Sequence, residues 1–394
     1  MAAYPTLTLK PREERRLRAG HAWVFSNEVD IGRSPLKNFQ PGDLAVVEDS
    51  RGAPLGLAYV NPNALICARL LSRNPRTVIN TDWFATRLSA ALALRTRLFD
   101  QPYYRLAHAE SDGLPGLVVD RYGNTLVVQL NTAGTELRKA EIIAALQSVV
   151  KPQGILLRND GSSRELEALP KYSESIGVVP EQTEIEEAGL RFQLPLLAGQ
   201  KTGWFYDQRD NRLRLQRYAR GLRVLDLFSY IGSWGLRAAS AGADRVLCVD
   251  ASAAALEQAR HNAKLNKLQL ETRQGDALEV LKALKAEQAQ FDLVVLDPPA
   301  LIKRRKDYDA GFEHYARLNH LALAVLAADG ILVSCSCSHH LPAADLQRLL
   351  LRETRKLGRK LQILEQGGAA PDHPLHPAIP ETGYLKAFFC RVQT

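Results

Sequence analysis

Residues 330–341 read GILVSCSCSHHL and gather two thiols and two imidazoles at the end of an apolar run. Side chains on a strand alternate between its faces, so Ile331, Val333, Cys335 and Cys337 share one face. If that strand lies in an open parallel sheet, ligands bind beyond its carboxyl end, and both thiols stand beside a substrate. A cysteine placed there is a nucleophile once its pKa falls below the free value of about 8.5. His339 and His340 are candidates for proton transfer, with helix capping or phosphate contact as the plainer use. The same four side chains carry zinc-type donors. Two positions apart on a strand is an awkward bite for one ion, so no metal is expected.

The rest of the chain has to build such a sheet. From about Leu190 onward strand and helix patterns alternate. Strand patterns fit 223–228, 245–250, 270–274, 291–296, 330–336, 361–365 and 385–391; helical spacing fits 233–241, 253–265, 276–286, 315–328 and 343–357. This alternation predicts a doubly wound parallel sheet. Only the Pro- and Gly-rich stretch 367–383 separates the last two strands, which predicts an antiparallel final strand. Four acids fall at successive strand ends: Asp226, Asp250, Asp276 (before Ala277) and Asp297. One alone is usually a helix cap or turn residue; four in register mark a ligand edge. After the first strand come Phe228, Gly232 and Gly235, but no G-x-G-x-x-G cradle for a pyrophosphate. A cofactor without phosphate therefore suits the site better than a dinucleotide.

Length and composition bound the reading. A chain of 394 residues with 46% hydrophobic and 24% charged residues is a globular protein of two or three domains. No apolar run approaches the roughly 20 residues of a membrane span; the longest, 321–328, fits a buried helix. Five cysteines without disulfide-scaffold density, and no apolar leader at the N-terminus, point to a cytoplasmic protein with reduced thiols. Lysine and arginine exceed the acids by 51 − 43 = 8, which favours a polyanionic partner. The basic residues cluster at 10–18 (with Arg15, Arg16 and Arg18), at 303–306 (with Lys303 and Arg304) and at 352–360.

Residues 1–75 form short strand patterns around turn signals, and GHAWVFSNEV with FQPGDLAVVEDSRGAPLGLAYVNP resembles a PUA domain, an RNA-binding pseudo-barrel. Trp23 beside the arginines has the chemistry of an RNA face, cations for phosphate and a ring for stacking; the plainer use of Trp23 and Phe25 is in a barrel core. Residues 76–188 read as an α+β middle domain with helices at 81–99 and 135–150 and a hairpin at 121–124. Its acids in HAESDGLPGLVVDRYG read as turn chemistry and not as a catalytic pair.

Residues 189–394 resemble the class I S-adenosylmethionine-dependent methyltransferases, a Rossmann-like fold with seven strands and an antiparallel last strand. Together with QKTGWFYDQRDNR at 200–212, DPPA at 297–300 and SCSCSHH at 334–340, the chain resembles the RlmI-like ribosomal RNA methyltransferases over essentially its whole length. That resemblance implies 5-methylcytosine formation in 23S ribosomal RNA, free or within a large-subunit assembly intermediate, with S-adenosylmethionine as donor; it allows a homodimer. It implies cofactor contacts at Gln200, Tyr206, Asp226, Phe228, Gly232, Asp250, Asp276, Ala277 and Asp297. Aligning the T-C-S motif of RNA 5-methylcytosine enzymes on Ser336-Cys337-Ser338 makes Cys337 the nucleophile, with Cys335 as fallback and Asp297 holding the ring at nitrogen 3. Many relatives carry a second cysteine where this chain has Ala300, which leaves the elimination base unassigned. Two other functions share these features: amino-group methylation of RNA through the DPP motif, and RNA binding by a factor without activity.

Overall fold

The computed structural model describes residues 4–197 and 202–394, which fall into two compact units. The first takes in the chain up to Glu181, Pro195–Trp204 and Asp372–Pro380; the second Gln182–Leu194, Phe205–Pro371 and Glu381–Thr394.

The first unit holds two five-stranded sheets. One runs in the order Thr6–Thr8, Asp43–Glu48, Pro54–Val60, Ile66–Ser72, Trp23–Phe25, around a core that includes Leu7, Leu17, Val24, Val47, Val60 and Cys67. The other runs Tyr172–Gly177, Gly154–Asn159, Thr125–Leu130, Leu117–Tyr122, Tyr103–His108, packed with the helices Thr81–Leu98 and Lys139–Val150. Strands Leu117–Tyr122 and Thr125–Leu130 pair through the turn Gly123-Asn124, where Gly123 takes φ +63° as a tight hairpin requires. Asp112 grips buried Arg95, and Asp120 grips Arg105. Asp112 sits in a turn, as the sequence reading expects, whereas Asp120 lies within the strand Leu117–Tyr122.

The second unit contains a seven-stranded sheet. After α1 (Arg209–Ala219) come β1 (Arg223–Leu227), α2 (Ser233–Ser240), β2 (Arg245–Asp250), α3 (Ala253–Leu265), β3 (Glu271–Gln274), α4 (Ala277–Ala286), β4 (Phe291–Leu296), α5 (Tyr308–Ala324), β5 (Leu326–Ser336), α6 (Ala343–Lys356), β6 (Lys360–Gly367) and β7 (Lys386–Gln393). The order is β3-β2-β1-β4-β5-β7-β6, with the first five parallel and β7 antiparallel to both neighbours. Central strands covered on both faces read as unbroken apolar runs, such as LVVL in β4. One core, with Leu225, Val294, Leu318, Leu332, Leu349 and Phe388, lies under α4–α6; another, with Trp234, Cys248, Val333, Cys335 and Phe389, lies on the opposite face.

The expected helix 315–328 is displaced to Tyr308–Ala324. The apolar run 321–328 does not continue as helix because Leu326 pairs with Phe291 of β4, so the sheet captures its second half. A bulge with Asp329 at φ +59° then restores register, and Ile331 lies opposite Leu293. A hairpin of Gln182–Glu187 with Leu190–Pro195, unmarked in the apolar pattern, precedes the sheet. No helix among the described residues is long and apolar enough to cross a membrane.

Candidate active site

All four acids lie at the carboxyl edge of β3-β2-β1-β4, but in different environments. Asp226, the penultimate residue of β1, is fully buried and accepts from the Gly235 N–H at 2.8 Å. Gly235 is required there: a Cβ would stand 2.5 Å from the Cys248 sulfur. Burial without a cationic partner pushes the Asp226 carboxyl up to about 8. Its Oδ1 is buried and has no hydrogen-bond partner among the described residues. Asp250 ends β2 and accepts from the Tyr230 and Ser252 N–H groups, both at 2.9 Å. Between these acids the chain turns through three left-handed residues, Phe228, Tyr230 and Gly232 at φ +62°, +49° and +82°. Clustered backbone strain of this kind belongs to ligand-holding turns. Asp276 is exposed and caps α4 through the Leu278 and Glu279 N–H groups, with Ala277 buried beside it.

Asp297 follows β4 and accepts from Gln208 Nε2 at 2.9 Å and from Trp234 Nε1 at 3.0 Å. Burial pushes its carboxyl up to about 6, against the pull of those donors. The segment before α1 exists to hold this arrangement. Asn211 donates to Gln208 Oε1 at 2.7 Å, and Arg212 ties the Phe205 carbonyl to Glu187. Glu187 is itself buried among Arg209, Arg212 and Arg237. Tyr206 is buried; Gln200 lies outside the described residues.

The alternation in SCSCS separates two tasks. Ser334, Ser336 and Ser338 face α5: Ser334 Oγ donates to Asn319 Oδ1 at 2.8 Å and Ser336 Oγ to Tyr315 Oη at 3.0 Å. Ser338 Oγ lies 2.9 Å from Tyr315 Oη and accepts from the Ile302 N–H at 3.0 Å. The cysteines face the other way. Cys335 is fully buried in the core, where desolvation holds its thiol well above the ordinary range. Cys337, one residue beyond β5, is half-buried, and its sulfur lies 3.8 Å from the carbonyl oxygen of Pro298, the residue after Asp297. None of the five cysteines forms a disulfide. Among the described residues no group of three or more His, Cys, Asp or Glu side chains is placed to hold a metal ion.

Two further side chains meet near this site: Lys386, which has no signal in the sequence, and Asp207, which lies within the 200–212 motif but has no role assigned from the sequence. Lys386, first in β7, is buried, lies opposite Ser336 in the sheet, and donates to the Ser338 carbonyl at 2.6 Å and the Tyr384 carbonyl at 2.8 Å. Asp207 accepts from the Tyr384 hydroxyl at 2.7 Å and has a buried, unpartnered Oδ1. The antiparallel return of the last strand brings Lys386 to the residue after Cys337, and brings Tyr384 to Asp207.

The basic and aromatic candidates are dispersed. Arg16 pairs with Glu28 and covers Phe25; Arg18 pairs with Asp49; Trp23 donates to Glu110 and lies under Arg69. Arg304 pairs with Asp307. Arg15 and Lys303 are exposed and carry no ion pair among the described residues.

Fold and site together define a class I S-adenosylmethionine-dependent methyltransferase with an N-terminal PUA-like domain. The description "S-adenosylmethionine-dependent methyltransferase" matches residues 171–391, and "PUA-like domain" matches 7–73. A ribosomal RNA large subunit methyltransferase I of Erwinia tasmaniensis is 38% identical, over 98% of this chain and 99% of its own length. A ribosomal RNA large subunit methyltransferase of Deinococcus radiodurans is 36% identical, over 98% of this chain and 97% of its own. The chain belongs to the ribosomal RNA large subunit methyltransferase I family. Among solved structures, a SAM-dependent methyltransferase from Streptococcus mutans has the same fold at TM-score 0.83 and 21% identity, covering 98% of this chain and all of the other. A methyltransferase complexed with SAH superposes at TM-score 0.85 and 20% identity, again over 98% of this chain and all of the other.

The residues at the strand ends fit the cofactor. The orphaned Oδ1 of Asp226 is a buried acceptor waiting for a donor, and the left-handed turn 228–232 opens the backbone over the sheet. Asp226 and the turn would hold the amino-acid end and Asp250 the ribose hydroxyls, with the adenine beyond Asp276 and Ala277.

Proposed function

We propose that this protein methylates carbon 5 of a cytosine in 23S ribosomal RNA through a covalent bond between Cys337 and carbon 6. The observation that carries the reading is the division between the two thiols: Cys335 sealed in the core, Cys337 half-open beyond the strand, with its sulfur against the Pro298 backbone of the DPPA turn.

Carbon 5 of cytosine is too weak a nucleophile to accept a methyl group unaided. S-adenosylmethionine, when bound, supplies an electrophilic methyl. The Cys337 thiolate adds to carbon 6, and the ring electrons move toward nitrogen 3, where Asp297 delivers a proton. A carboxyl pushed up to about 6 is suited to that exchange, since it carries and releases a proton near neutral pH. The enamine-like carbon 5 then takes the methyl and loses its proton to a base, and as the thiolate leaves and the carbon 5–carbon 6 double bond re-forms, nitrogen 3 returns its proton to Asp297. Gln208 and Trp234 keep the Asp297 carboxyl in one orientation throughout. A base stacked in a duplex cannot reach this edge, so the substrate is single-stranded or transiently opened RNA. An RNA substrate of this kind places the protein in the cytoplasm.

The test is mass mapping of 23S ribosomal RNA after incubation with methyl-labelled S-adenosylmethionine, comparing wild type with Cys337→Ala. One labelled cytosine, methylated at carbon 5 and lost in the variant, is the expected result. Label on an exocyclic nitrogen that survives the substitution refutes the thiol mechanism.

A further inference from the structure

We propose that Lys386 is the proton acceptor and counter-ion that brings Cys337 into its thiolate form, an inference that rests on Cys337 being the nucleophile. A thiol at the free value of about 8.5 is mostly protonated at neutral pH, so the mechanism needs a nearby cation. Lys386 is only 6% exposed, and its Nζ reaches the carbonyl of Ser338, the residue after Cys337, at 2.6 Å. Its two hydrogen bonds go to neutral carbonyls, that of Ser338, next after Cys337, and that of Tyr384 in its own segment. An ammonium has three N–H groups, so one is left uncommitted. No carboxylate pairs with this lysine among the described residues. A buried cation without a counter-ion is costly, and the one acidic group that acts on it is Cys337.

Asp207, from the segment before α1, accepts from the Tyr384 hydroxyl and forms no ion pair with Lys386 among the described residues; the other groups around the pair do not compete. Tyr315, beneath the strand from α5, is pushed up by burial and stays a phenol. Cys335, on the strand itself, stays a thiol. His339 is pushed down, chiefly by burial, and stays neutral. Asp297, from the end of β4, is anionic or neutral but never a cation. Burial brings Lys386 down to about 8, low enough to exchange a proton with a thiol near neutral pH. In the exchange the S–H bond breaks with its electron pair left on sulfur, and a new N–H bond forms on the neutral amine. The resulting ammonium, held by two carbonyls, faces the thiolate both before addition to carbon 6 and after elimination.

The experiment is alkylation of full-length protein by iodoacetamide from pH 6 to 10, with the rate at Cys337 read by peptide mass spectrometry. Wild type is expected to show an inflection below about 8.5. Lys386→Met raises that inflection by about one unit or more, slowing alkylation at pH 7 roughly tenfold, while Lys386→Arg, a permanent cation, keeps it low. Cys335 stays unmodified where the fold is intact. Identical profiles for wild type and Lys386→Met overturn the proposal. If Lys386→Met fails to fold, a wild-type inflection at or above about 8.5 overturns it unaided. Alkylation does not require methyl transfer, so a Lys386 failure is distinguishable from a Cys337 failure: the latter appears as cytosine methylation surviving in Cys337→Ala.

Discussion

Tyr315→Phe isolates the hydroxyl network that holds the cysteine. The phenol is fully buried, and its one oxygen serves Ser336 at 3.0 Å and Ser338 at 2.9 Å, the residues on either side of Cys337. Phenylalanine keeps the ring and its packing and removes only that oxygen. Two buried hydrogen bonds at about 1 kcal/mol each give a loss of about 2 kcal/mol. At about 2–4 °C per kcal/mol for a unit of this size, Tm falls by about 4–8 °C. The backbone around the sulfur loosens while the rest of the site is untouched, so kcat for RNA methylation falls roughly tenfold to a hundredfold, with KM little changed. A double-mutant cycle with Ser336→Ala sharpens the test. Removing both partners costs less than the sum of the single losses, by about 1 kcal/mol, because neither change then strands a buried group. Thermal melts and steady-state kinetics on the four proteins suffice. Strict additivity, or a Tyr315→Phe variant with wild-type Tm and kcat, refutes the view that the alternating serines position the thiol.

Asp226 holds its proton in the folded state up to about pH 8 but loses it near 3.8 when unfolded, so it subtracts stability as pH rises through that window. Asp226→Asn therefore flattens the decline of Tm between pH 5 and 8 and weakens S-adenosylmethionine binding by calorimetry; an unchanged pH slope contradicts the assignment. Glu187→Gln leaves Arg209, Arg212 and Arg237 buried without their anion and costs about 3–5 kcal/mol in urea unfolding. Because the arginines hold the Glu187 carboxyl below its ordinary value, the wild-type contribution is present above about pH 4.5 and lost on acidification, and the variant lacks that acid-side loss. Arg15→Ala and Lys303→Ala each lower the salt dependence of RNA binding by about one counter-ion, measured by filter binding across salt concentrations; an unaltered slope excludes that side chain from phosphate contact.

Much of the second unit was legible in the chain because its signals are local. Helix 253–265 and strands 245–250 and 291–296 follow from periodicity over a few residues, and the four acids mark the edge where parallel strands end. The period-two pattern of SCSCS also foretold that Ser336 and Cys337 point apart. Local pattern misled where a neighbouring strand competed, as at 326–328, where pairing with Phe291 outweighs helical spacing. The polar environment of the thiol was not legible at all. Lys386 lies 386 − 337 = 49 residues beyond Cys337, at the start of a strand whose apolar pattern reports only that it is buried. Its position depends on the antiparallel return that brings the start of β7 to the end of β5, and such pairing is a property of two strands together. The amino-acid sequence by itself determined which chemistry the chain can do, the thiols and the acids at strand ends. The tertiary structure added how far the two thiols differ in burial and brought the start of the last strand to the end of β5, because burial and proximity arise only when distant segments pack.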